Sequence, residues 1–373
     1  RSGLDARYAD GAATIWTTRV LPALGRQRDY LRALRRTATP DAGVWHVRNG
    51  DSFYPVALQA TTTATLSPEE VHRFGLDQAA SIGARLDAEL RKLGLTQGSI
   101  GARMIALSAR PGQIYPNTDA GKADAIAFCN ERLAAIRGRL PGVFARLPAY
   151  QFEVRRVPPQ TEPGAAAAFS QSPALDGSRP GIVYFNLRDS ANWPKNQLST
   201  TIYHEALPGH QLEGGLALSN KELPLLRKIS GNFSGYAEGW ALYAEQLADE
   251  IGMYGDDPAG RCGYLAAQLF RAHRCIVDTG LHHYRWTRER AIQQFVDAVG
   301  YTPDRSTLEV ERYCVNPGQA CSYKIGHSVF TDLRDRAKAR QGARFDLKAF
   351  HTEVLRHGRL PLDVLKQVGE AWA

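Results

Sequence analysis

Two histidines and a glutamate fall close together in the string Tyr203-His204-Glu205-Ala206-Leu207-Pro208-Gly209-His210-Gln211. A second acidic segment follows at Tyr236-Ala237-Glu238-Gly239-Trp240. Neutral imidazole nitrogen and carboxylate oxygen are the ligands a catalytic zinc ion takes, usually three from protein with one water. His204 and His210 are therefore the candidate zinc ligands. Glu238 is the candidate third, because it lies between apolar Tyr236 and Trp240, where an unpaired charge is costly. Glu205, directly after the first histidine, is placed to reach the water as a general base. Glu245 lies nearly two helical turns beyond Glu238 and shares its face. It is the alternative ligand, and reads better as an acceptor that orients a histidine N–H.

The spacing sets a condition on the backbone. Zinc-binding helices place their histidines one turn apart, whereas His204 and His210 are six positions apart. On a regular helix that is about 240° of rotation and roughly 9 Å of rise, so the rings would face apart. Pro208 removes a helical N–H and crowds the carbonyl of His204. Gly209 admits backbone angles that other residues avoid. The expectation is a break at 207–209 that swings His210 beside His204.

The surrounding pattern is helical. Leu21, Leu24, Leu31 and Leu34 recur near helical spacing within residues 1–40. Thr39-Pro40-Asp41-Ala42-Gly43 breaks that run, and Val44-Trp45-His46-Val47 reads as a short strand. Phe53–Thr65 leads to a start signal, with Ser67 as N-cap, Pro68 first in the helix and Glu69 and Glu70 behind it. That helix runs through Leu90. Further helices are expected at 99–108, 119–140, 235–251, 261–284, 286–299, 307–313, 319–339, 345–356 and 361–371. Ser199-Thr200-Thr201 offers caps for a metal-motif helix starting near Thr200. Tyr236, Trp240, Tyr243 and Leu247 form one apolar stripe. Gly181–Leu187 is a good strand.

The chain has 373 residues, 43% of them hydrophobic and 23% charged, as in globular proteins. No apolar run reaches the length of a membrane span. Residues 1–30 carry no basic segment followed by an apolar core. The net charge is +8, but the basic residues are scattered rather than clustered, which argues against a nucleic-acid partner. Five cysteines leave at least one unpaired within the chain. Cys314 and Cys321 flank a turn that could let them bridge, or they are two buried thiols.

The strings HEALPGH, YAEGWALYAE, DTGLHHYRW, PGQACSYKIG and FHTEVLRHGRLPLDVL, in that order, resemble the bacterial DUF885 proteins, a group related to zinc metallopeptidases with a glutamate third ligand. The resemblance runs from about Asn49 to the C-terminus. It implies a mainly α, large helical metallopeptidase-like fold with a small β-hairpin or sheet beside the active-site cleft. On that ground residues 165–170, helical by propensity, are read as part of a hairpin ahead of the metal motif. Such a strand edge could bind an extended peptide. The resemblance also supports Glu238 on the helix after the metal motif. It implies Tyr323 as the group that steadies the oxyanion, with His327 one turn further along. It implies further sequence before Arg1 and a periplasmic or secreted location.

Arg312 and Lys324 are cations able to hold a substrate carboxylate. His282 stands one turn after Asp278, as a substrate or supporting element or simply a helix cap. The reading is one largely helical catalytic unit over 1–373, lacking an N-terminal part, with its metal-site core at 165–330. The expected reaction is zinc-dependent hydrolysis of peptide bonds in short peptides. Two alternatives stay open: hydrolysis of another amide, and a peptide-binding protein with a structural or lost metal site.

Overall fold

The computed structural model describes residues 6–229 and 231–372. The chain divides into two compact units, Arg1–Asp41 and Ala42–Ala373, where the sequence was read as one. In the first, α1 (Ala6–Ile15) runs through a π-helical stretch, Trp16–Val20, into α2 (Leu21–Arg35). Leu21, Leu24, Leu31 and Leu34 lie on α2 and are exposed.

The second unit is mainly α-helical with a small sheet. Its first half holds α3 (Gly50–Thr62), α4 (Pro68–Lys92), α5 (Ile100–Ser108), α6 (Asp119–Arg139), β1 (Phe152–Arg156), β2 (Ala168–Gln171) and β3 (Gly181–Phe185). Its second half holds α7 (Lys195–Glu205), α8 (His210–Ser219), α9 (Leu225–Ile229), α10 (Ser234–Glu250) and α11 (Pro258–His282). After these come α12 (Arg288–Val299), α13 (Pro303–Val315), α14 (Gln319–Gln341), α15 (Leu347–Arg356) and α16 (Leu362–Trp372). None of the described helices is long and apolar enough to cross a membrane.

Local chemistry sets many of the helix ends. At the start of α4 the Glu70 N–H donates to Ser67 Oγ and the Ser67 N–H donates to Glu70 Oε2, a reciprocal capping box with Pro68 behind it. Three expectations need correction. Val44–His46 is a 3₁₀ turn, not a strand. Residues 50–62 form a helix that no start signal announced. Helix α7 starts at Lys195, after Pro194, so Ser199 and Thr200 lie inside it rather than capping it.

Strand β3 pairs parallel with β1 and antiparallel with β2, so the expected hairpin is the β2–β3 half of a three-stranded sheet. Side chains alternate across a strand. Ala168 and Ser170 accordingly turn inward, while Phe169 and Gln171 are exposed. The core lies between the long helices, with α11 packed on α4, α7 and α14, and α10 packed on α14 and α7. Tyr236, Trp240, Tyr243 and Leu247, the expected stripe of α10, are fully buried.

The crossing of α10 over α14 is close. A methyl at Gly326 would fall on the Gly235 carbonyl, and one at Gly239 would meet the Gly326 backbone. Only glycine lets these backbones come so near. All five cysteines are free thiols, Cys314 and Cys321 included.

Candidate metal centre

Helix α7 ends at Glu205. Ala206 leaves helical geometry at φ −105° and ψ −100°, and Gly209 follows at φ −76° and ψ −133°. The chain resumes as α8 at His210. The turn is crowded, since a side chain on Gly209 would strike the His204 carbonyl. Trp240 Nε1 donates to the Pro208 carbonyl at 2.9 Å, tying the turn to α10. Gln211 Nε2 donates to the Gln171 carbonyl at 2.9 Å, tying it to β2. With the helix broken at 206–209, the His204 and His210 rings lie 4.9 Å apart and nearly perpendicular, at 84°.

Glu238, on α10, completes the cluster. Its Oε2 lies 3.3 Å from His204 Nε2 and 3.4 Å from His210 Nε2. Among the described residues these three form the group able to hold a metal ion, with ligand atoms within 4.8 Å of one another. Zinc–nitrogen and zinc–oxygen bonds of about 2.0–2.1 Å at a tetrahedral angle put neighbouring ligand atoms about 3.3 Å apart. The two separations from Glu238 Oε2 to the imidazole Nε2 atoms match an edge of that tetrahedron. Glu238 Oε2 is also buried without a hydrogen-bond partner. A carboxylate oxygen in that state costs free energy unless a cation meets it. The donor set and its spacing therefore fit zinc.

His204 has a support behind it. His204 Nδ1 lies 2.8 Å from Glu245 Oε1, and Thr200 Oγ1 donates to Glu245 Oε2 at 2.8 Å. Glu245 is thus the acceptor behind the histidine. Burial opposes a charge on His204, but the neighbouring Glu238 and Glu245 carboxylates outweigh it and raise its pKa to about 9. Burial would likewise raise the Glu238 carboxyl, yet His210 and His204 hold it well below the usual carboxylate range. The raised His204 reports the carboxylates around it, and the lowered Glu238 reports the two imidazoles beside it. His210 Nδ1 is buried without a partner.

Glu205 sits at the end of α7, half-buried. Ser170 Oγ lies 2.8 Å from its Oε2 and 2.8 Å from its main-chain carbonyl. The inward face of β2 therefore holds this carboxylate. Tyr323, on α14, stacks on His204 with ring centroids 6.5 Å apart and planes 14° from parallel. Burial and the negative Glu238 raise its phenol pKa, while Arg274 works against them.

The four expected substrate-binding residues are held elsewhere. Lys324 is buried and donates to Gln268 Oε1 at 2.9 Å, with His327 Nδ1 at 3.2 Å. His327 is buried against Gln246 Oε1 at 2.8 Å. His282 is buried, accepts the Val44 N–H at Nδ1, and has its Nε2 3.2 Å from the Tyr313 carbonyl. These internal bonds leave none of the three free to meet a substrate. Asp278 accepts from Tyr54 Oη at 2.7 Å and from the Gly318 N–H at 3.0 Å, a buried link between helices. Arg312 is half-buried and donates to Gln319 Oε1 at 2.6 Å and Glu309 Oε2 at 3.2 Å. Ser170 and Arg274 went unnoticed as site residues in the sequence, and Thr200 was read as a cap, because each acts across a long stretch of chain that no local spacing reports.

The described residues thus define a mainly α-helical protein with a two-histidine, one-glutamate cluster at a helix break. The chain belongs to the DUF885 family, described as bacterial proteins of unknown function, which it matches over residues 3–368. Two solved structures resemble it. One is described as a candidate lipoprotein from Colwellia psychrerythraea, 40% identical with a TM-score of 0.92, and the match covers 95% of this chain. The chain spans 61% of that protein's length. The other is a candidate lipoprotein of unknown function from Shewanella oneidensis, 19% identical with a TM-score of 0.75, covering 99% of this chain and 68% of that one. The second likeness concerns the fold alone. No curated protein matches the chain.

Proposed function

We propose that this chain carries the catalytic centre of a zinc-dependent hydrolase that cleaves peptide bonds, in short peptides. The observation that carries the reading is the buried, unpartnered Glu238 Oε2, set 3.3 and 3.4 Å from the two imidazole Nε2 atoms. His204, His210 and Glu238 would hold the ion. Zinc bound there supplies Lewis acidity, which lowers the pKa of a water and polarises the carbonyl under attack.

The chain's own residues supply the rest. Glu205 accepts the proton of the attacking water and passes it to the leaving amine. Ser170, 2.8 Å from Glu205 Oε2, keeps that carboxylate turned the right way. Tyr323, stacked on His204, donates its hydroxyl to the oxygen that gains charge. Strand β2 is an edge of the sheet and offers main-chain groups to an extended peptide. The 40% identical relative described as a candidate lipoprotein favours a location outside the cytoplasm.

The test is metal analysis together with turnover of a quenched peptide library, with and without chelator. Chelator-sensitive cleavage that disappears in Glu205→Gln, with zinc still bound, supports the reading. Bound zinc with no cleavage would instead identify a peptide-binding protein. Cleavage unaffected by Glu205→Gln would remove that residue from the mechanism.

A further inference from the structure

Arg274 stands one turn after Phe270 on α11 and is only 6% exposed. Its guanidinium carbon lies 4.4 Å from the Phe270 ring centre and 4.4 Å from that of Tyr323. Its Nη2 donates to Glu309 Oε2 at 3.1 Å. The same Glu309 oxygen accepts from Arg312 Nη2 at 3.2 Å and from Tyr313 Oη at 2.8 Å. Arg274 Nε and Nη1 are buried without a hydrogen-bond partner.

As packing alone this arrangement is a poor choice. A methionine would fill the slot between two rings without burying a charge, and without stranding two donors. What an arginine adds is a flat cation set over both ring faces. Pinned by Glu309 and backed by Phe270, that plane fixes the tilt of the Tyr323 ring. The same Tyr323 ring lies 14° from parallel with the His204 ring, with centroids 6.5 Å apart. A cation over the π-face also draws electron density from the phenol and makes its O–H a better donor.

We propose that Arg274 is a positioning residue for Tyr323: clamped between Phe270 and Glu309, it holds the tyrosine ring in register with His204 and prepares its hydroxyl to donate. Arg312, expected to meet substrate, belongs to the same clamp through Glu309 and Gln319. The inference rests on the hydrolase reading for its catalytic consequence, but the placement of the ring can be measured without turnover.

The experiment uses the zinc-loaded chain with 3-fluorotyrosine incorporated at position 323. The parent should give one narrow fluorine resonance. Arg274→Met should broaden or split it while the thermal transition stays cooperative, and Arg274→Lys, which keeps the charge but loses the plane, should restore it only in part. In turnover of the cleaved peptide, Arg274→Met should lower kcat about tenfold or more with KM unchanged. That loss should vanish in a Tyr323→Phe background, because both changes remove one device. An unchanged fluorine line in folded Arg274→Met overturns the proposal, and so does an additive loss in the double variant. If Arg274→Met does not fold, Glu309→Gln releases Nη2 and serves the same comparison. Absence of chelator-sensitive cleavage in the parent would sink the hydrolase reading, while the fluorine line still decides whether Arg274 sets the ring.

Discussion

Glu245 receives His204 Nδ1 at 2.8 Å while its other oxygen accepts the Thr200 hydroxyl at 2.8 Å. One carboxylate thus fixes both the tilt of the imidazole and the tautomer that leaves Nε2 free toward Glu238. Acceptors behind a ligating histidine are typically worth 10–100-fold in metal affinity. Glu245→Gln should weaken zinc binding by about that factor, read by competition with a chromogenic chelator. An unaltered dissociation constant would reduce Glu245 to a packing role.

Ser170→Ala removes the hydroxyl beside Glu205 Oε2 and leaves the three ligands untouched. The proposed mechanism then predicts normal zinc content and a kcat lowered about tenfold, from a base that is no longer held. Loss of zinc in this variant would show instead that β2 supports the metal motif itself.

Zinc should stabilise the chain, because the cluster exists in the folded state alone. At a free zinc concentration 100 times the dissociation constant the gain is about 2.7 kcal/mol. His210→Ala should abolish most of that rise in the denaturation midpoint. A midpoint indifferent to zinc in the parent chain would argue that the ion does not bind there.

Two buried histidines set a pH dependence. His351 lies 2.8 Å from the Val143 carbonyl at Nδ1 and 2.8 Å from Tyr243 Oη at Nε2, an arrangement that suits the neutral ring. Burial pushes its pKa down to about 4, and that of His273 to about 4. Unfolded, both titrate near 6.5. Between those values the unfolded chain binds more protons, so stability is full above about pH 6.5 and falls as pH drops toward 4. The loss is on the order of 2–3 kcal/mol per histidine across that range. Denaturant titrations at pH 7 and pH 5 check it, the upper part of the window lying above most carboxylates. A flat profile that matches His351→Gln would refute the assignment to His351.

Much of this was legible in the sequence, for reasons particular residues make plain. Ser67, Pro68 and Glu70 announce the start of α4 because a capping box is built from neighbours. Pro208 and Gly209 announce the break in the metal motif because their backbone chemistry acts locally. Thr200 misled, since a threonine ahead of an apolar run looks like a cap, yet its hydroxyl bonds a glutamate on another helix. Lys324 and His327 looked like substrate groups, because sequence does not show that Gln268 and Gln246 hold them inside. The role of Ser170 depends on strand register, which only the paired sheet fixes.

The contact of α10 with α14 yields one more expectation. Gly326→Ala would place a methyl on the Gly235 carbonyl. The helices must part, at a cost of about 1–3 kcal/mol. Because Glu238 rides on α10 and Tyr323 on α14, zinc affinity and turnover should fall together with stability. A destabilised variant with both intact would show that the strain relaxes away from the centre.

The corner at residues 206–209 means that the second imidazole hangs from a fresh helix rather than from the pitch of the first. Its reach is set by a tight bend, so it can be retuned by altering the bend while both helices stay as they are. A motif scan that assumes one-turn spacing passes over such a centre, because distance along the chain stops reporting distance in space once a corner intervenes.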